Sequence, residues 1–203
     1  DLYGEAKIKK KYKGEKIIAN QFKYSFKREL VFEQDNVYPT GFGVPESIIK
    51  PLNFERKYKM IQNNYPKYAY FESPTDLGGS RDHYLFDNEE DYYDDLAESW
   101  FGLTCKKGGW DALRHYEIIA SGTLLLFRDY YLKPNSCSPQ NLPCISYSSK
   151  KELKNIFKKL VIKNKPTEEY IRILQSQREW LYRFGTTTAR GADILRVLSS
   201  YKK

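Results

Sequence analysis

The chain has 203 residues, 40% hydrophobic and 16% aromatic, which is enough apolar material for one core and too much for a disordered segment. A net charge of +8 turns attention to polyanions: nucleic acid, phosphorylated ligands or an anionic membrane surface. Three cysteines without a CxxC pair and only two histidines argue against a disulfide framework, a zinc module or a histidine-rich metal centre, and no apolar run is long enough to span a bilayer.

Residues 1–36 form a basic segment, with nine Lys or Arg against four acids in residues 1–30, and are expected to be the end or remnant of a preceding domain. Aromatic and charged residues alternate over Phe22–Phe32, which predicts a strand or a strand–helix step. Gln34-Asp35-Asn36 predicts a turn. Val37–Val44 reads as a strand broken by Pro39, Gly41 and Gly43, and Pro45-Glu46 as the start of a short helix or loop through Ile49. Glu55–Gln62 reads as a strand with flanking helix. KYAYFE, residues 67–72, alternates cleanly and predicts a third strand, followed by a loop over Ser73–Arg81.

Asp87–Glu98 carries seven acids and no base. Asn88 there fits an N-cap with Glu89, Glu90 and Asp91 in the first turn, where the helix dipole favours them, so these acids have a structural role without serving as metal ligands. Residues 97–127, AESWFGLTCKKGGWDALRHYEIIASGTLLLF, organise the chain. Trp100–Thr104 predicts a buried strand, Cys105–Gly109 a basic glycine turn and Trp110–Ser121 an amphipathic helix stopped by Gly122. Leu124–Phe127 is the next strand. This is a βαβ unit of a parallel sheet, whose ligands sit at the carboxyl ends of the strands. Downstream come a Pro/Ser loop over Lys133–Pro143, a strand over Cys144–Tyr147 and a helix capped by Ser148 or Ser149 with Leu153, Ile156, Phe157 and Leu160 facing inward. Thr167 then caps a helix to about Phe184, and Ala189–Ser199 forms the last one.

A turn of this kind meets an anion with helix-terminal N–H groups, with glycines that admit close approach, and with cations. Lys106, Lys107, Gly108 and Gly109 supply these together, with Arg114 one turn into the helix and Glu117 three residues beyond on the same side. The pattern is neither GxGxxG nor GxxxxGK[ST], so it points to no dinucleotide fold or P-loop kinase. A solvated surface turn with an Arg114–Glu117 salt bridge fits the same letters.

FGLTCKKGGWDALRHYEIIASGTLLLF resembles the donor-binding half of GT-B-fold glycosyltransferases, of exostosin-like and glycosyltransferase group 1-like type. In these an R-x-x-E-x-x-x-x-G helix precedes an apolar strand, here Arg114, Glu117 and Gly122 before Leu124–Phe127. ISYSSKKELKNIFKKLV, FGTTTARGADILRVL, YSFKREL and VYPTGFGVPESII resemble further parts of that half. The TLLL run departs from the usual small-residue-plus-proline step.

The resemblance implies an α/β fold: an open, mostly parallel Rossmann-like sheet with flanking helices, one GT-B half, closed by C-terminal helices. It implies a nucleotide-sugar-binding domain over residues 37–203 that transfers sugar from a nucleotide-diphosphate sugar to a glycan, glycoprotein or lipid hydroxyl. No cofactor and no essential metal are expected beyond the donor. Glu117 would accept the ribose hydroxyls, while Arg114 and one of Lys106 or Lys107 would hold the diphosphate. Gly108 and Gly109 would make room for it. Trp110 would wall the pocket or join the core, Asp111 would be a helix-terminal acid or sugar ligand, and His115 would be structural or exposed. A separate acceptor domain is the expected partner, because 203 residues are too few for two full halves. No nucleic acid partner and no transmembrane segment are expected, and the expected location is cytoplasmic or peripheral to a membrane. The competing readings are a basic nucleic-acid-binding module, with tyrosines as stacking platforms, and a non-catalytic interaction domain.

Overall fold

A computed structural model describes residues 23–31, 35–71 and 85–200. Its centre is a four-stranded parallel sheet in the order β3-β4-β5-β6, formed by β3 (Lys59–Ile61), β4 (Ser99–Cys105), β5 (Leu124–Arg128) and β6 (Ile145–Tyr147). The fold is the expected α/β class, a Rossmann-like parallel sheet flanked by helices and closed by C-terminal helices. Helix α1 (Glu89–Ala97) leads into β4 and α2 (Leu113–Ala120) links β4 to β5, so strand, turn, helix and strand follow in the predicted order, with the helix starting three residues after the predicted Trp110. Every residue of β4 and the first four of β5 are buried, the pattern of strands covered on both faces.

Alternate residues of β5 separate the two faces. Leu124 and Leu126 join Phe101, Leu103 and Tyr147 under α3 (Lys150–Leu160) and α4 (Glu168–Trp180). Leu125 faces the opposite way, among Ile118, Ile119 and Leu96 from α2 and α1. Gly102 is what allows α2 so close to the sheet, because a side chain there would collide with Ile118. Two buried glutamines complete the ladder where strands end. The Gln62 amide pairs with the N–H and C=O of Leu103 at 2.9 Å each, and Gln177 of α4 does the same for Leu125 at 2.9 and 3.0 Å.

Capping chemistry sets the helix ends. Asn88, Ser149, Thr167 and Thr186 each accept a hydrogen bond from the third residue of the following helix, so the last helix, α5 (Thr187–Ser199), begins two residues before the predicted Ala189. Helix α4 ends at Trp180 and continues as a wider turn over Leu181–Gly185, short of a continuous helix to Phe184. Between α3 and α4, β7 (Val161–Ile162) and β8 (Lys165–Pro166) form a hairpin whose turn residues Lys163 and Asn164 both take positive φ.

Residues 25–31 and 35–44 pack against this body. Strand β1 (Ser25–Lys27) pairs in parallel with β2 (Val37–Pro39), joining residues on both sides of position 36, and Val44 bridges Thr186. The described part of KYAYFE, residues 67–71, is not a strand. Lys67–Tyr70 is a 3-10 helix ended by Phe71 in the left-handed region. Its alternation serves another purpose: Ala69 is fully buried, while Tyr68 and Phe71 hold the Arg128 guanidinium between their rings at 3.8 and 3.9 Å. Ser73–Arg81 lies outside the described residues. Among the described residues, no helix is long and apolar enough to cross a membrane.

Candidate functional site

The described strands of the sheet follow one another in chain order. That order offers no reversal at which a crevice would open on its own. The carboxyl edge is shaped by residues 63–71. Asp95 accepts the Asn63 N–H at 2.8 Å, Arg114 donates to the Asn64 carbonyl at 3.2 Å, and the Tyr147 hydroxyl donates to the Ala69 carbonyl at 2.8 Å. Beside this segment, at the end of β4 and the start of α2, is a cleft of about 530 Å³.

Three of the six sequence-nominated residues line that cleft: Lys107, Arg114 and Glu117. The other three do not. Lys106 places its ammonium 5.2 Å from the centre of the Trp110 ring. Gly108 is exposed with open space around it, and Gly109 backs onto the Glu29 carboxylate, which a side chain at 109 would have to displace. Glycine at 109 therefore serves an internal carboxylate.

Arg114 and Glu117 share one side of α2, as the three-residue spacing requires, yet among the described residues they form no ion pair. The Glu117 carboxylate accepts from the Tyr92 hydroxyl at 2.9 Å, with Tyr93 at a long 3.5 Å. Burial raises its pKa above the ordinary value, against the lowering pull of the Tyr92 hydrogen bond and the Arg114 charge. Helix α2 opens at Ala112 without a side-chain cap. Ala112 and Leu113 both line the cleft, so the positive end of the helix borders it. The far end of the site comes from the entry to α1, through Phe86, Asp87, Glu89 and Tyr92. No protein-family model matches this chain, and a search of curated proteins found no relative.

The residues behind the turn are structural. Trp110 is buried against Phe127 and Cys137. Asp111 is 6% exposed; its carboxylate accepts from the Tyr116 hydroxyl at 2.7 Å and the Phe42 N–H at 2.8 Å. Arg190 joins the network, donating to the Phe42 carbonyl and to the Tyr116 oxygen. His115 is buried with both ring nitrogens engaged, Nδ1 at 3.1 Å from the Thr104 hydroxyl and Nε2 at 3.0 Å from the Trp110 carbonyl. The carbonyl only accepts, so Nε2 carries the proton and Nδ1 takes the threonine's. Burial holds its pKa down at about 4, and it stays neutral.

Sequence reasoning overlooked Tyr92, Asn64 and Glu29. Tyr92 sits in an acidic run whose letters announce a solvated helix. Asn64 acts through its backbone, and Glu29 belongs to a segment 80 positions from the turn it meets, so nothing local signals either one.

Proposed function

We propose that the cleft binds the nucleoside diphosphate of a nucleotide sugar, and that the chain is a glycosyltransferase, or the donor-binding half of one, passing the sugar to a glycan, glycoprotein or lipid hydroxyl. The observation that carries this reading is that Lys107, Arg114 and Glu117 line one cleft at the carboxyl end of a parallel sheet. Arg114 offers a planar fork for two phosphate oxygens and Lys107 a mobile point charge. Glu117, with one oxygen held by Tyr92 and the other only weakly engaged, has acceptor capacity left for a ribose diol. Charge building on the departing diphosphate would meet two cations and the uncapped end of α2. Side chains supply the neutralisation in this reading, so a chelator leaves transfer unchanged.

The test is thermal unfolding with UDP, GDP and their sugars. A nucleotide at about one hundred times its Kd stabilises the chain by about 2.7 kcal/mol. Glu117→Ala and Arg114→Ala reduce that stabilisation. Absence of any nucleotide effect, together with single-stranded RNA binding of steep salt dependence, contradicts the proposal.

A further inference from the structure

We infer that Glu29 is a positioning residue for the cleft: its carboxylate supports the glycine turn from behind and sets the direction in which Lys107 meets an anionic ligand. The Asp111 N–H donates to Glu29 Oε1 at 2.8 Å, and Gly109 lies so near that any side chain there would collide with the same carboxylate. The nearby Cys137 thiol has its pKa pushed up to about 11, first by burial and then by the Glu29 charge. The turn thus meets this one carboxylate at two positions, Gly109 and Asp111.

Two roles are open to a carboxylate on such a turn. It can compete with an incoming phosphate, or it can hold the turn for it. The geometry decides between them. The cleft is lined by Cys105, Lys107, Ala112 and Arg114, whereas Glu29, Gly108 and Gly109 take no part in its wall. Ligand and carboxylate therefore meet the turn from different sides, and Glu29 does not compete. Its bond to Asp111 acts on the residue that follows Trp110, whose carbonyl is held by His115. Lys107 is two residues before Gly109 and donates its N–H to the Gly109 carbonyl at 3.3 Å, so the turn passes the constraint directly to it. Because Glu29 follows β1, the β1–β2 pair becomes part of the cleft's support.

The inference rests on the nucleotide reading only for its affinity readout, so the test has two arms. In the first, UDP is titrated calorimetrically into the full chain, Glu29→Gly, Glu29→Gln and Gly109→Ala. Glu29→Gly is expected to weaken UDP about tenfold, about 1.4 kcal/mol, and formate, filling the vacated carboxylate space, restores most of it. Glu29→Gln keeps the shape and one acceptor and loses less. Gly109→Ala loses as much as Glu29→Gly but gains nothing from formate, because the new methyl occupies the space. UDP affinity that is unchanged or tighter in Glu29→Gly overturns the inference. In the second arm, the Lys107, Gly109 and Asp111 amide resonances are followed without nucleotide. Shifts in Glu29→Gly that formate reverses support the inference, and resonances that stay at their native positions overturn it. If the unaltered chain binds no UDP, the nucleotide reading fails, while the second arm still decides the role of Glu29.

Discussion

The two ends of the parallel sheet both hold a lysine beside strand β4, and they use it in opposite ways. At the amino end, Lys57 is 3% exposed and its ammonium donates to the carbonyls of Ala97 and Ser99 at 3.0 and 2.7 Å and to the Thr123 hydroxyl oxygen at 3.3 Å. Thr123 in turn donates to the Leu96 carbonyl, so its oxygen is free to accept. Three donors meet three acceptors, and no valence is left for a ligand. The Ala97 carbonyl also lies at the negative end of α1. At the carboxyl end, Lys107 is exposed, Arg114 spends one guanidinium nitrogen on Asn64, and Glu117 keeps an oxygen only loosely held. The buried lysine is saturated by the fold; the charges around the cleft keep bonding capacity that the fold does not use.

Breaking the amino end should give the largest effect. Lys57→Met strips three buried acceptors of their donor and is expected to cost about 3 kcal/mol of stability in denaturant unfolding, while UDP affinity of the folded fraction holds. The same residue leaves a pH signature. Burial lowers its pKa to about 7 from 10.5, so between those values the unfolded chain binds a proton that the folded chain does not. Stability therefore rises with pH across that window, by at most about 1.4 kcal/mol per unit; Lys57→Met lacks this slope, so it remains in the difference between the unaltered chain and the variant.

The next largest effect is at the carboxyl end. Arg114→Ala is expected to weaken UDP about a hundredfold, about 2.7 kcal/mol in calorimetry, since it removes the phosphate fork and releases the Asn64 carbonyl. Glu117→Gln, which keeps the shape and loses the charge, weakens it about tenfold. Between the two ends stands His115. Its folded pKa of about 4 lies below the ordinary 6.5, so the unfolded chain gains the proton first and stability falls as pH drops through that interval. An acid-unfolding series with His115→Gln loses this component. The smallest effect is the control: Lys106→Ala, whose charge rests on Trp110 outside the cleft, changes UDP affinity less than about twofold.

Most of the βαβ unit was legible because its signals are local. Trp100–Leu103 and Leu124–Phe127 carry no polar side chain, Gly122 takes φ 75° and ends α2, and, just before the unit, Asn88 caps α1 with its own side chain. The misreadings share a physical cause, because distant partners overrode local pattern. KYAYFE alternates like a strand, but Arg128 and the core below claim its rings and Ala69 for a 3-10 turn. Trp110–Ala112 looks helical, yet the helix waits until Leu113 because Asp111 gives its N–H to Glu29 and its carboxylate to Tyr116 and Phe42. In the site, spacing alone placed Arg114 and Glu117 together on α2. Which face of the glycine turn meets a ligand depends on Glu29, and that could not be read from KKGG.

The central claim is that the unsaturated charges at the carboxyl end of the sheet hold a nucleoside diphosphate. Chemical-shift mapping with UDP and GDP tests it most directly. The account predicts saturable changes confined to Asn64, Glu89, Lys107, Leu113, Arg114 and Glu117, with Lys57 and its neighbours unmoved. Changes that spread over the exposed lysines of α3 and fade with salt, leaving Arg114 and Glu117 at their unliganded positions, contradict it.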